Sequence, residues 1–246
     1  MIYLVSYPKS GRTYLRYMIG KYFQLKHNLE EHDLLDYSMY GKAYNCKHGI
    51  TFTHSEFYED YYKTTFEQLQ LNKTIWLKRN PYDTLVSFYF HVKYRKKQTC
   101  LNLSEFIRSI RYGIVPFIVF KTQCEMLDNI LTINYEELVE TPDLFLYAFL
   151  KSMGEEPILE YLDKAVKLSS FNYMRQAEVS GSVNISEKSY IDKNDIRQLK
   201  TRSGKVNNYR SYLTSEDVNY IDEELHNYNK WEQDISDRVN KLLRVS

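Results

Sequence analysis

Apolar residues are not spread evenly along the 246-residue chain. Four short apolar runs stand out: "IYLV" within residues 1–6, "GITFTH" at 49–54, "KTIWLKR" at 73–79 and "ILTINY" at 130–135. Each is too short for a stable helix and rich in β-branched or aromatic residues, so each predicts a short strand. Between them the spacing changes. Leu15, Met18, Ile19 and Tyr22 recur every three or four positions and predict a helix over 12–25. Comparable patterns predict helices over 81–95, 103–111 and 116–128. Asn80, Pro81 and Asp83 form an N-cap, first-turn proline and first-turn acid, and "TPD" at 141–143 repeats that grammar. Thr214 with Asp217 opens a last helix over 215–243. Strands alternating with helices imply an α/β fold, a central parallel sheet of about four to five strands flanked by helices in one domain spanning 1–246. The polar stretch 176–208, with Gly181 and Gly204, reads as a long flexible loop of the kind that forms lids.

Composition narrows the function classes. The formal net charge is +1, which lacks the basic footprint of a nucleic-acid binder, so no nucleic-acid partner is expected. The 24 tyrosines read as amphipathic filling of core and surface. Cys46, Cys100 and Cys124 are odd in number and show no paired spacing. A disulfide framework or zinc site is therefore not expected, and a reducing, cytoplasmic setting fits. No apolar run is long enough to span a bilayer, and the opening residues read as strand, not leader.

The candidate chemistry starts at "YPKSGRTYLR", residues 7–16, where the first strand runs into a turn and a helix start. Such a junction offers uncapped N–H groups and the positive helix end to an anion. It is not a Walker A loop, because Lys9 comes two residues before the single Gly11 instead of following a second glycine. Read alone, it is equally an ordinary turn with a solvated lysine. Arg79 ends the third strand, at the sheet edge where open parallel sheets bind ligands, and Ser87 follows on the next helix. "FTHSE" places His54 at the end of the second strand, at the same edge. Histidine suits a general base near neutral pH. Glu56 is a second candidate base, whereas His91 falls at an aromatic-rich helix position that reads as packing. Lys93, Arg95, Lys96 and Lys97 read as a solvated basic face.

Taken together these segments resemble the cytosolic-type sulfotransferases. "YPKSGRTYLR" is similar to their Y-P-K-S-G-T-T-W loop, and "RNPYDTLVSFYFH" to R-N-P-x-D-x-x-V-S-x-Y-x-x. "TRSGKVNNYRSYLTSED" resembles R-K-G-x-x-G-D-W-K-x-x-F-T, "INYEEL" resembles Y-E-D-[ML], and "SSFNYM" resembles T-S-F-x-x-M. The resemblance runs from residue 3 to about residue 217. It implies a P-loop-like nucleotide-binding fold using 3′-phosphoadenosine 5′-phosphosulfate (PAPS) and releasing adenosine 3′,5′-bisphosphate (PAP), with no metal required.

By position, the resemblance implies that Lys9, Ser10, Gly11, Arg12 and Thr13 hold the 5′-phosphosulfate. Arg79, Ser87, Arg202 and Gly204 would hold the 3′-phosphate, Tyr135, Ser169 and Phe171 the adenine, and Tyr14 stands where the family stacks a tryptophan. Lys9, His54 and Ser87 form the implied catalytic set. The acceptor would be a hydroxyl or amine of a small molecule, glycan or lipid. Two departures remove cations: Ser203 replaces the lysine of R-K-G, and Phe52 replaces the lysine before T-H. Few residues precede the first strand, which is expected to leave the acceptor pocket more open. A kinase of P-loop type and a non-catalytic nucleotide binder of the same fold are the alternatives.

Overall fold

The computed structural model of the protein describes residues 2–28, 50–54, 64–182 and 191–243. Four strands, β1 (Ile2–Val5), β2 (Ile50–Thr53), β3 (Lys73–Lys78) and β4 (Ile130–Asn134), form one sheet in the order β2-β1-β3-β4. All three pairings are parallel, with Ile2 opposite both Ile50 and Lys73, and Thr74 opposite Ile130. Parallel neighbours place all four C-terminal ends along one edge. That edge carries the Lys9 loop, His54 and Arg79.

Strand side chains alternate between two apolar layers. Ile2, Leu4, Ile75, Leu77 and Ile133 enter one, Val5 and Trp76 the other. The first layer is covered by α1 (Arg12–His27), α7 (Pro142–Ser152) and α8 (Leu159–Leu168), through Leu15, Met18, Tyr22, Phe149, Leu150 and Leu162. The second is covered by α3 (Pro81–Phe90), α4 (Leu103–Arg108), α5 (Ile114–Glu125) and the start of α10 (Ser215–Leu243), through Leu85, Phe88, Phe106, Ile118 and Ile221. Several tyrosines fill the core as the composition suggests: Tyr17 and Tyr22 are fully buried.

The remaining helices are α2 (Phe66–Gln70), α6 (Tyr135–Glu140) and α9 (Phe171–Ser180). Three segments of the chain differ from the sequence reading. The helix from Pro81 does continue to Arg95, but as an α-helix to Phe90 and then a π turn over His91–Arg95. Helix α4 stops at Arg108, short of residue 111, where the chain turns into the bend before Gly113. Within the segment 176–208, whose residues 183–190 lie outside the described ones, 176–180 complete α9 and Ile196–Gln198 form a 3₁₀ turn, with a second over Asn208–Ser211. Buried side-chain contacts hold its second half, because Leu199 and Thr201 are both buried. Glu56 and Cys46 lie outside the described residues. Cys100 is exposed and Cys124 buried, each as a free thiol. No helix among the described residues is long and apolar enough to cross a membrane.

Candidate active site

The turn between β1 and α1 is built for close approach. Tyr7 anchors it by edge contacts to Phe88, Phe117 and Phe120 at 5.9, 5.1 and 5.6 Å between ring centres. Lys9 then takes φ +72°, a left-handed conformation that costs a non-glycine residue energy. Gly11 caps α1 at φ +99°, and a Cβ there would lie 2.2 Å from the Tyr135 ring. No side chain caps the helix start, which leaves that end to an incoming group. Ser10 is buried, and Arg12, Thr13 and Tyr14 begin the helix half-buried.

Arg79 reaches this turn from β3. Its Nη1 donates to the Lys9 carbonyl at 3.1 Å, its guanidinium lies over the Tyr135 ring at 4.4 Å, and its Nη2 is 3.7 Å from Asp83. Asn80 accepts from the Asp83 N–H at 2.8 Å and donates to Glu136 at 2.8 Å, tying the start of α3 to α6. Asp83 itself is buried and accepts the backbone N–H groups of Asn207 and Tyr209, at 2.7 and 2.8 Å. The chain after Arg202 is thereby fastened against Arg79. Arg202 lies 4.0 Å over Phe90 and donates to the Tyr212 hydroxyl at 2.8 Å. Gly204, at φ +66°, lets the chain pass Phe171, whose ring would lie 2.2 Å from a Cβ there. Phe90, Phe171, Arg175, Arg202, Ser203 and Tyr212 line part of a cavity of about 350 Å³.

His54 ends β2 with Nδ1 2.7 Å from the Ser6 carbonyl oxygen. A carbonyl only accepts, so Nδ1 carries the hydrogen and Nε2 is left as the proton acceptor. Burial, then the charge of Arg12, hold its pKa well below the usual histidine value. Burial, followed by Lys200, Arg95 and Arg79, brings the Lys9 ammonium down to about 7. The same cause raises the Tyr14 hydroxyl to about 12.

Two residues that the sequence reading set aside, His91 and Arg95, join this site, with Glu178, which it did not single out. Arg79, Asp83, Ser87, His91 and Arg95 are spaced by four, so they run along one face of α3 and its π turn. A four-residue step overshoots an α turn by about 40°. The wider π turn, with Lys96 N–H bonded to the His91 carbonyl at 2.9 Å, counters that drift. His91 is therefore not simply packing: it faces Lys9, Arg95 and Lys200, and burial followed by these charges holds it down to about 2. Arg95 is not a solvated cation but is buried and paired with Glu178 at 3.2 Å. Glu178 and Lys200 come from the segment read as a loop, where no pattern marks them. The four-residue spacing was the signal that could have found His91 and Arg95.

The site gathers buried donors and cations that the described residues leave incompletely paired. Buried polar atoms without a hydrogen-bond partner among the described residues include Arg79 Nε, Arg95 Nη2, His91 Nδ1, Ser6 Oγ and Ser169 Oγ. Such atoms are costly unless a ligand or water completes them. Its two buried carboxylates, Asp83 and Glu178, are already engaged by backbone N–H groups and arginines. Among the described residues no group of acidic, histidine or cysteine side chains is placed to hold a metal ion.

A family model described as "Sulfotransferase domain" matches residues 1–233. Among solved structures, the mouse sulfotransferase SULT7A1 complexed with PAP aligns with TM-score 0.60 and 20% identity, covering 90% of this chain and 81% of that one. Retinol dehydratase in complex with androsterone and inactive cofactor PAP aligns at 0.60 and 16% identity, over 92% and 79% of the two chains. Its complex with retinol and PAP aligns at 0.61 and 16%, over 92% and 80%. At these identities the structural likeness concerns the fold. No curated protein sequence matches the chain.

Proposed function

The chain belongs to the sulfotransferase domain family, and we propose that it moves a sulfuryl group from PAPS to a hydroxyl or amine, releasing PAP. The observation that carries this reading is at the sheet edge: Arg79 donates to the carbonyl of Lys9 in a turn whose helix end no side chain caps, and the chain after Arg202 is fastened to Asp83 beside Arg79. In the reaction the acceptor oxygen–sulfur bond forms as the sulfur–oxygen bond to the 5′-phosphate breaks, the electron pair staying on the phosphate oxygen. The acceptor proton passes to His54 Nε2, because the Nδ1 hydrogen faces the Ser6 carbonyl. Lys9 is held where negative charge develops on the leaving oxygen, the arrangement in which a preorganised cation accelerates most. The chemistry is positioning plus electrostatics, and a metal is not called for.

Ser10, Gly11, Arg12 and Thr13 hold the 5′ end, with the α1 N–H groups. Arg79, Ser87, Arg202 and Gly204 hold the 3′-phosphate, while Tyr14, Tyr135, Ser169 and Phe171 flank the base. The acceptor is a small molecule; the neighbours' complexes with retinol and androsterone are consistent with an apolar one. A glycan or lipid acceptor and a cytoplasmic location are the finer possibilities of the same reading.

The test is calorimetry with PAP and with adenosine 5′-monophosphate. A site built to pair with a phosphate leaves cations uncompensated when it is missing. PAP should bind at least about 10²-fold tighter, roughly 2.7 kcal/mol, and Arg79→Ala should erase most of that preference. Equal affinities on the unmodified protein overturn the reading.

A further inference from the structure

The cavity beside residues 202–204 carries more positive charge than the sequence motifs account for. Arg175, Arg197, Arg202 and Lys205 line it, and among the described residues around it none is acidic. The four cations are not equivalent. Arg197 is neutralised by Asp195, which accepts from its Nε at 2.8 Å and its Nη2 at 2.9 Å. Lys205 is exposed, and no contact among the described residues fixes its ammonium. Arg175 is held on two sides. Its Nη2 donates to the Arg202 carbonyl at 3.0 Å, and its guanidinium carbon lies 5.1 Å from the centre of the Phe171 ring. Phe171 and Arg175 are four residues apart on α9 and so share a helix face. Gly204 passes the same ring. The guanidinium is thereby fixed beside the 202–204 backbone from a helix, not from the loop itself. A guanidinium has five N–H donors. The Nε and Nη1 of Arg175 have no hydrogen-bond partner among the described residues, and no carboxylate there pairs with it. Ser203, which stands where the family motif has a lysine, lines the same cavity.

We propose that Arg175 is a third cation of the 3′-phosphate site, supplied by α9 in place of the lysine that Ser203 replaces. This rests on the PAPS reading above. A phosphate monoester carries about 1.5 to 2 negative charges at neutral pH, so a cation beyond Arg79 and Arg202 has a partner there. Arg175 presents its free N–H groups as a planar fork, which matches two phosphate oxygens at once. Its bond to the Arg202 carbonyl sets that fork next to the residue whose side chain serves the same phosphate. The charge lost from the loop thus returns from a different element.

Calorimetry with PAP and with adenosine 5′-monophosphate tests this on the unmodified protein, Arg175→Met, Arg175→Lys, Lys205→Met and the double variant Arg175→Met with Ser203→Lys. Arg175 is only half-buried, so its replacement should leave the melting temperature unchanged. Arg175→Met should bind PAP about tenfold or more weaker, the scale of one hydrogen bond to a charged group, while the monophosphate stays within about threefold. Arg175→Lys, which keeps the charge, should hold most of the preference for PAP, and Lys205→Met should change it by less than about threefold. The double variant separates charge from support of the loop, because Ser203→Lys returns a cation without remaking the bond to the Arg202 carbonyl. It should recover most of the lost preference. Equal loss for both nucleotides in Arg175→Met, loss for neither, or no recovery in the double variant overturns the role of Arg175 alone. Loss of the preference in Lys205→Met with Arg175→Met unaffected does the same. Equal affinities on the unmodified protein overturn the PAPS reading, and this proposal with it.

Discussion

The two ends of the α3 stripe are fastened by the same device and differ in what they hold. At the start, Asp83 accepts the N–H groups of Asn207 and Tyr209 and sits 3.7 Å from Arg79. At the end, Glu178 accepts the N–H groups of Lys200 and Thr201 and sits 3.2 Å from Arg95. Each carboxylate therefore pins part of the 200–209 segment and pairs with an arginine of the stripe. Arg79 is also spread over the Lys9 carbonyl and the Tyr135 ring, with its Nε unpartnered, so its charge faces the candidate ligand. Arg95 is buried and pairs with Glu178 and the Gln198 carbonyl through Nη1, while its Nη2, like Arg79 Nε, has no hydrogen-bond partner among the described residues. One clamp holds an arginine against the Lys9 turn, and the other holds an arginine against the 198–201 backbone.

Removing charge from each clamp breaks the comparison most strongly. Glu178→Ala leaves Arg95 buried without its partner, a change that typically costs about 3–5 kcal/mol. Thermal or denaturant unfolding should register it as a clear loss of stability. Asp83→Asn should cost less stability, and its main effect should be weaker PAP binding. Similar unfolding midpoints for the two variants would show that the ends do not differ as described.

Within the site, Lys9→Ala should lower kcat about 10²-fold or more, the scale of losing one electrostatic stabiliser, while PAP affinity changes less. Steady-state kinetics with a turned-over acceptor decides this, and a near-normal kcat removes Lys9 from the mechanism. His54→Ala should lose turnover and keep nucleotide binding. If Glu56→Gln abolishes turnover and His54→Ala spares it, the base assignment reverses.

The pH dependence sharpens the picture further. Because the folded His54 pKa is depressed, the imidazole is neutral, and able to act as base, through and below the ordinary histidine range. The rate should therefore stay flat across pH 6.5 and fall only well below it, lower than the sequence alone suggests. Folding follows the same linkage: the unfolded chain takes up this proton near its ordinary pKa, so His54 favours the fold above that pH and the contribution is lost as pH falls. Lys9 gives the smallest effect. With a folded pKa of about 7, it is mostly neutral in the free protein at pH 8. A bound polyanion restores its charge, so PAP binding at pH 8 should take up close to one proton, read by calorimetry in buffers of different ionisation heat. Binding without proton uptake would mean that Lys9 is charged already.

Much of this protein could be read from its sequence because the signals are local. A short apolar run with β-branched residues makes a strand wherever it sits, and Asn80–Pro81 with Asp83 starts a helix by its own hydrogen bond. Lys9, Gly11, His54 and Arg79 follow directly from strand ends, so their shared edge follows once the sheet is parallel. What only the tertiary structure decided depends on contacts between distant segments. Glu178 lies in a helix end with no distinguishing pattern, and its partners Arg95 and Thr201 are 83 and 23 residues away. Burial and like-charge crowding, neither of which exists in an extended chain, set the Lys9 and His91 values. The polar segment after residue 190 looked flexible for the same reason: its order comes from a carboxylate on another element, and composition does not record where a chain's hydrogen bonds are completed.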